Sequence, residues 1–235
     1  MRAVVCLPTY NERDNLEPMV RALGEHSVRV LVIDDASPDG TGELADRLAV
    51  NLAYVDVLHR PRKEGLGPAY LAGFRRALAT DAELVLEMDC DFSHDPADVP
   101  RLIAAAEDTD LVLGSRYVAG GRVENWSSLR RFVSAGGSLY ARVVLGVGVR
   151  DLTGGFKCYR RAVLETIDLD AISSLGYAFQ IETTYRALRA GFCVTEIPIT
   201  FADREAGRSK MSRSIVLEAV WKVPALRAAT LHGRL

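Results

Sequence analysis

Short apolar runs alternate with amphipathic stretches through the first half of the chain, and this alternation constrains the fold most. The apolar runs lie at residues 4–7, 28–33, 53–58, 84–88 and 111–113. The stretches between them place apolar side chains at helical spacing, around residues 16–23, 41–48, 67–78 and 100–106. Strands that alternate with helices, and that are apolar almost throughout, predict a mostly parallel sheet with helices on both faces.

The regular alternation ends after residue 114. Helices are predicted at 126–144, 178–188 and 214–226, the last of them broken near Pro224, together with a strand at 193–197 and a glycine-rich turn at 151–157. No internal repeat or linker separates the two halves. We therefore predict one α/β domain with an elaborated second half, covering residues 1–212, and a C-terminal helical segment over residues 213–235.

Charge and cysteine content argue against several classes of protein. A net charge of −2 gives no sign of the basic surface that nucleic-acid binding needs. The four cysteines are scattered without a C-x-x-C pair, which argues against a disulfide framework or a zinc knuckle and fits a reducing cytosol. We see no signal-peptide pattern and no apolar run near the roughly 18 residues of a membrane span. We therefore expect a cytoplasmic protein.

Two carboxylates one residue apart end the fourth predicted strand. Residues two apart on a strand point to the same side, so Asp89 and Asp91 could converge on one hard cation, with Cys90 facing away. In open α/β sheets, ligands bind outside the carboxyl ends of the strands. Because acidic residues are also common in turns, the pair by itself indicates either a metal site or a solvated turn.

Polar clusters follow other predicted strands at the same edge of the sheet. They comprise Pro8, Tyr10 and Glu12 after the first strand, Asp34 and Asp35 after the second, and residues 114–117 after the fifth. Turn chemistry can explain any single cluster. Since parallel strands present their carboxyl ends on one side, the recurrence of such clusters favours a binding site along that rim.

Several motifs together carry a resemblance to a known family. They are PTYNE at 8–12, VIDDASPDGT at 32–41, GLG at 65–67, MDCD at 88–91, GSRY at 114–117 and TGGF at 153–156. The set resembles the family 2 glycosyltransferases with the GT-A fold, a Rossmann-like α/β fold. Within them it is most similar to the dolichol-phosphate and polyprenol-phosphate mannose synthases, through GSRY, S-H-x-P at 93–96 and R-x-x-G-x-S-K at 204–210.

The resemblance implies an inverting enzyme that moves mannose from GDP-mannose to a polyprenyl or dolichyl phosphate. Asp89 and Asp91 are implied to lie beside the sugar diphosphate, with Asp91 as the direct ligand of Mg²⁺ or Mn²⁺. Asp35 is implied to accept from N–H groups of the base. The donor site as a whole is implied to include Pro8, Tyr10, Glu12, Ile33, Asp35, Cys90 and Ser93.

A set of basic residues is implied to surround the reaction centre, where arginine forks and lysine point charges recognise phosphate oxygens. The family pattern places Arg116, Arg131, Arg204 and Lys210 there. Arg130 is an adjacent competitor of Arg131 in the sequence, and Lys63 and Lys157 are further candidates for phosphate contacts.

An evident general base is missing from these motifs. Sugar transfer to a hydroxyl group needs such a base, yet neither residues 153–156 nor Glu182 offers a convincing one. A phosphate monoester has its second pKa at about 6, so it is largely ionised at neutral pH. It needs positioning by cations more than deprotonation. The pattern therefore favours a lipid phosphate over a sugar as the acceptor.

Other functions remain open at this level. The same fold could use UDP-glucose or a UDP-N-acetylhexosamine, because motifs do not fix nucleotide selectivity. Residues 30–35 also resemble the acidic pair of a signalling receiver domain, but that pair would follow the first strand rather than the second.

A lipid acceptor implies a membrane surface. We expect peripheral association with its cytosolic face through residues 120–145, through the closing helix, or through a separate transmembrane anchor protein. Trp126 and Trp221 are candidate interfacial anchors.

Overall fold

One seven-stranded sheet organises the computed structural model, which describes residues 1–203 and 213–232. Its strands are β1 (Ala3–Thr9), β2 (Arg29–Asp34), β3 (Val55–His59), β4 (Leu84–Glu87), β5 (Leu111–Ser115), β7 (Lys157–Arg160) and β8 (Val194–Pro198). A separate parallel pair joins β6 (Arg122–Val123) to β9 (Thr200–Phe201). The order β3-β2-β1-β4-β7-β5-β8 is parallel except at β7, which confirms the predicted mostly parallel α/β sheet.

Helices cover both faces of this sheet. They are α1 (Arg13–Gly24), α2 (Thr41–Asn51), α3 (Leu66–Leu78), α4 (Val99–Ala105), α5 (Ser128–Leu145), α6 (Arg161–Thr166), α7 (Gly176–Arg189) and α8 (Arg213–Leu231). Alternate residues of β1 enter opposite cores, because successive strand side chains point to opposite faces. Val5 and Leu7 pack with α1, α2 and α4, whereas Val4 and Cys6 pack on the side of α3 and α7.

The sequence predicts a glycine-rich turn at 151–157 but no strand at 157–160, where the structure has β7. Residues 157–160 instead insert between β4 and β5 and run antiparallel to both. The strand has only four residues and includes a lysine and an arginine, so it shows neither alternation nor a continuous apolar run. Its position brings the glycine-rich turn before it against the carboxyl end of β4.

The closing helix is continuous, which corrects the predicted break near Pro224. Proline lacks the N–H that would bond the carbonyl of Val220. The hydroxyl of Tyr140, on α5, donates to that carbonyl at 2.9 Å, so the acceptor that Pro224 leaves is satisfied. Val223 and Leu226 of α8 are buried in the core. The division between a domain at residues 1–212 and a C-terminal segment at 213–235 stays a prediction. Within the described ranges, no helix has the length and apolar character needed to cross a bilayer.

Candidate active site

The polar clusters after β1, β2 and β4 come together at one rim of the sheet. The amide of Asp35 donates to the carbonyl of Thr9 at 2.9 Å, which joins the ends of β1 and β2. The amide of Met88 donates to the carbonyl of Cys6 at 3.3 Å, which joins β1 to β4. Tyr10, Asp35 and Asp89 therefore lie next to these junctions.

Asp89 and Asp91 are held by different parts of the fold. Asp89 Oδ1 accepts from the hydroxyl of Tyr70, on α3, at 3.2 Å. Burial, together with the Asp89 carboxylate, raises the pKa of Tyr70 well above its usual value, so the phenol remains a donor. Asp91 is 5% exposed, and its Oδ1 accepts from the amide of Ser93 at 3.0 Å.

The glycine-rich turn lies directly over Asp89. A Cβ built on Gly155 would lie 3.9 Å from Asp89 Oδ2 and 3.3 Å from the amide nitrogen of the Gln180 side chain. Because Gly155 has no side chain, its backbone lies beside the Asp89 carboxylate.

The two carboxylates have the chemistry that suits a hard divalent cation. Carboxylate oxygens are the donors that Mg²⁺ and Mn²⁺ prefer. In residues 1–203 and 213–232, no group of three or more His, Cys, Asp or Glu side chains is placed to hold a metal by itself. Asp89 and Asp91 are the two residues of this rim that would hold such an ion.

Asp35 organises a loop that the sequence motifs did not reveal. Its carboxylate accepts from Arg60 Nη1 and from the amides of Glu64 and Gly65, at 3.2 and 2.9 Å. The Arg60 side chain is 7% exposed. Asp35 thus ties residues 60–65 to the rim, whereas the sequence predicted a contact with a nucleotide base. Arg60 directly follows β3, and its position at that strand end was the available signal.

The remaining predicted donor-site residues are divided between the rim and the core. Lys63 Nζ lies 3.6 Å from the ring centroid of Tyr10, and Glu12 Oε2 accepts from Asn15 Nδ2 at 3.0 Å. Pro8 is partly buried within β1. Ile33 and Cys90, by contrast, are 0% and 2% exposed in the two cores, so their side chains serve packing.

Arg116 forms a buried ion pair rather than an open phosphate site. Its Nε donates to Asp151 Oδ2 at 2.7 Å, and its Nη2 donates to Asp151 Oδ1 at 2.6 Å and to Thr153 Oγ1 at 2.9 Å. Burial opposes the charge, but the Asp151 carboxylate outweighs it and raises the pKa of Arg116 above its usual value. We therefore revise the predicted role of Arg116: it braces the end of β5 against the glycine-rich turn.

A mostly apolar pocket of about 90 Å³ opens between α5, α7 and α8. Its walls include Trp126, Val133, Tyr140, Ile181 and Val220, and among the described residues that line it Arg130 alone is charged. Thr153 also lines the pocket and hydrogen-bonds to Arg116, so the pocket adjoins the glycine-rich turn.

Arg130 and Trp126, two of the residues that line this pocket, each carry a buried hydrogen-bond donor without an acceptor among the described residues. Arg130 lies over the Trp126 ring at 4.2 Å and donates through Nη1 to Asp203 Oδ1 at 2.6 Å. In the part of the chain that the structure describes, Arg130 Nε and Trp126 Nε1 are buried and find no acceptor. Unpaired buried donors are costly, so these two atoms are exceptions in a mostly satisfied interior.

The other predicted basic residues are placed differently. Arg131 is exposed, lies outside the pocket and donates to the carbonyl of Val123 at 3.2 Å, so the structure favours its neighbour Arg130. Arg204 and Lys210 lie outside the described residues.

Lys157 is fully buried and donates to the Gln180 carbonyl at 2.8 Å. Burial lowers its pKa to about 8, against the opposing effect of the Glu87 carboxylate, and it does not reach the rim as a phosphate contact.

Glu182 is also buried and hydrogen-bonded within the protein. It is 3% exposed, and its Oε1 accepts from Arg186 Nε at 2.8 Å. Its Oε2 accepts from the hydroxyl of Ser174. Both carboxylate oxygens of Glu182 are therefore engaged by neighbouring side chains.

Comparison with known proteins agrees with the architecture and the motifs. The profile of the family described as "Glycosyl transferase family 2" matches residues 4–168. The polyprenol monophosphomannose synthase of Mycolicibacterium smegmatis is 51% identical over 227 residues, covering 94% of this chain and 85% of the relative. The undecaprenyl-phosphate mannosyltransferase of Micrococcus luteus is 49% identical over 225 residues, covering 95% and 93%.

Solved structures share the fold at low sequence identity. Glucosyl-3-phosphoglycerate synthase from Mycobacterium tuberculosis, in complex with Mn²⁺, UDP-glucose and phosphoglyceric acid, aligns with a TM-score of 0.70 and 18% identity over 97% of this chain and 80% of that one. A mannosyltransferase from Pyrobaculum calidifontis, in complex with GDP-Man and Mn²⁺, aligns with a TM-score of 0.60 and 15% identity over 99% and 74%. These structures have the GT-A architecture that the sequence predicted.

Proposed function

The chain belongs to glycosyl transferase family 2 and is a glycosyltransferase, and on that premise we propose that it transfers mannose from GDP-mannose to a polyprenyl phosphate. Two relatives at about half identity, each aligned over nearly the whole chain, are named for mannose transfer to polyprenyl phosphates. The observation that carries the proposal is the apolar pocket with buried, unused donors of Arg130 and Trp126, adjoining the turn over the carboxylate rim.

The donor would occupy the rim. Asp89 and Asp91 would hold Mg²⁺ or Mn²⁺ against the diphosphate, and the metal would neutralise charge on the departing GDP. Tyr10 and the loop tied to Asp35 would border the nucleotide. Arg204 and Lys210 remain proposed contacts to phosphate groups, because they belong to the R-x-x-G-x-S-K motif at 204–210.

The acceptor would occupy the pocket, with its phosphate at Arg130 and its first isoprene units between the apolar walls. An arginine donor suits a phosphate oxygen, and aliphatic and aromatic walls suit a prenyl chain. An ionised phosphate oxygen would attack C1 of mannose on the side opposite the leaving GDP. The new C1–O bond forms as the bond to the β-phosphate oxygen breaks, and its electron pair leaves with GDP. No proton has to be removed by the protein, which agrees with the engaged state of Glu182.

The proposal also places the protein at a membrane, because a polyprenyl phosphate is held there by its hydrocarbon chain. We assign it to the cytosolic face, in keeping with the scattered, free cysteines. A separate anchor protein remains a proposed alternative to direct docking.

Donor turnover tests this function. With Mn²⁺ and a short-chain polyprenyl phosphate, kcat/KM for GDP-mannose should exceed that for UDP-glucose by at least about a hundredfold, because a polar pocket built for one base leaves groups unpaired with the other. Product formation is followed by the transfer of labelled sugar into the organic phase. Equal or faster turnover of UDP-glucose would assign the chain to the alternative donor class.

A further inference from the structure

Helix α3 contacts the carboxylates that follow two different strands of the sheet. At its N-terminal end, the amide of Gly65 donates to Asp35 Oδ2 at 2.9 Å. On its second turn, the hydroxyl of Tyr70 donates to Asp89 Oδ1 at 3.2 Å. Asp35 follows β2 and Asp89 follows β4. One helix therefore ties together the two ends of the rim.

The ring of Tyr70 is held in place on several sides. Tyr70 is 0% exposed and lies parallel to Phe179 of α7, with ring centroids 5.9 Å apart and planes at 5°. The ring of Phe74 lies 6.0 Å away on its other contact within α3. A Cβ built on Gly67, one turn earlier, would lie 3.2 Å from Phe179 and 2.8 Å from the carbonyl oxygen of Ser174. Glycine thus allows α3 to approach α7 closely, and the Tyr70 hydroxyl has a fixed position.

The bond from Tyr70 sets the orientation of the Asp89 carboxylate. Oδ1 faces the phenol, and Oδ2 lies on the side of the glycine-rich turn, 3.9 Å from a Cβ built on Gly155. The torsion that turns an aspartate carboxylate is broad, so such a group is not fixed by its own rotamer. Groups that hydrogen-bond to metal ligands orient them, and their loss typically costs about 10–100-fold in metal affinity or activity.

We infer that Tyr70 is a positioning residue of the metal site, whose hydroxyl fixes the orientation in which Asp89 receives a divalent cation. Tyr70 acts through Asp89 and does not touch the substrate. Because α3 also binds Asp35 through Gly65, the loop beside the nucleotide and the metal carboxylate are held by one element. The inference rests on the proposed function, since it takes Asp89 as a ligand of Mg²⁺ or Mn²⁺.

The substitution Tyr70→Phe tests the inference, because it removes the hydroxyl and keeps the packed ring. GDP binding is measured by calorimetry in EDTA and over a range of Mn²⁺ concentrations. The Mn²⁺ concentration that gives half of the metal-dependent gain in GDP affinity should rise at least about tenfold. The GDP affinity in EDTA should not change. A general disturbance of the donor site would instead weaken GDP binding with and without metal.

Tyr185→Phe is the matched control. Tyr185 is also 0% exposed, and its hydroxyl accepts from that of Thr230 at 2.9 Å, at the contact of α7 with α8 rather than at the rim. Thr230 also bonds to the carbonyl of Leu226 at 3.0 Å, so its hydroxyl keeps an acceptor in the variant. The control should show the Mn²⁺ dependence of the wild type, and thermal melts should show that both variants are folded.

Three results would overturn the inference and leave the proposed function intact. They are an unchanged Mn²⁺ dependence in Tyr70→Phe, an equal change in Tyr185→Phe, and a loss of GDP affinity in EDTA in Tyr70→Phe. The same titrations are run with UDP. A Mn²⁺ shift in Tyr70→Phe that appears with UDP alone would refute GDP-mannose as the donor and support the role of Tyr70. If Mn²⁺ changed the binding of neither nucleotide to the wild type, the metal role of Asp89 and this inference would both be wrong.

Discussion

The variant Asp91→Asn is expected to lose at least about a hundredfold in kcat, a loss typical of removing one group that stabilises developing charge. The neutral amide is a poor ligand for a hard cation and cannot offset its charge. The Asn oxygen can still accept from the amide of Ser93, the bond that Asp91 makes at 3.0 Å. The melting temperature should therefore change little. Rates at saturating GDP-mannose and a thermal melt together measure both effects.

Asp95→Asn is the control for that result. Asp95 is an exposed acid four residues further along the chain and accepts from the amide of Ala97 at 2.9 Å, a bond that Asn can keep. Full activity is expected here. Full activity in Asp91→Asn would contradict the metal-ligand assignment, and loss of turnover in Asp95→Asn with intact donor binding would show that a protein base is needed.

The substitution Asp151→Ala should be the most destabilising of these changes. Asp151 is fully buried and receives the guanidinium and the backbone amide of Arg116. Removing one partner of a buried ion pair leaves an uncompensated charge and costs about 3–5 kcal/mol. For a domain of this size the melting temperature should fall by about 10 °C. Thermal and urea unfolding measure the loss.

An exposed ion pair provides the matched control. Asp56 and Arg76 form a pair at 2.9 Å with both side chains about half exposed. Asp56→Ala should cost less than about 1 kcal/mol, because water screens such pairs. Equal stabilities of the two variants would contradict the bracing role of Arg116. A loss of turnover without a loss of stability in Asp151→Ala would return Arg116 to the phosphate site.

The parallel sheet and the polar residues at its rim can be predicted from the sequence, because both depend on local patterns. Apolar runs and helical spacing are visible within a few residues, and the ends of parallel strands meet by geometry alone. The sequence pattern therefore predicts that Asp35 and Asp89 lie at one edge of the sheet. Strand β7 is not predicted from the sequence, because its four residues gain their stability from pairing with β4 and β5, which lie far away in the chain.

The partners in the buried ion pairs could not be predicted from the sequence for the same reason. Nothing local links Arg116 to Asp151 or Asp35 to Arg60, although each pair decides what its members can bind. The choice between Arg130 and Arg131 is similar. Neighbouring residues on a helix point about 100° apart, so only the docking of α5 against α7 and α8 shows which arginine reaches the pocket.

Steady-state kinetics of Arg130→Ala and Arg131→Ala test most directly whether the pocket holds the acceptor phosphate. The KM for a short-chain polyprenyl phosphate should rise at least about tenfold in Arg130→Ala, since a charge-assisted hydrogen bond to phosphate is lost. The dissociation constant for GDP-mannose should stay unchanged, and Arg131→Ala should resemble the wild type in both. Thermal melts of both variants exclude a general loss of fold. An unchanged acceptor KM in Arg130→Ala, or an equal rise in both variants, would contradict the assignment of this pocket to the acceptor.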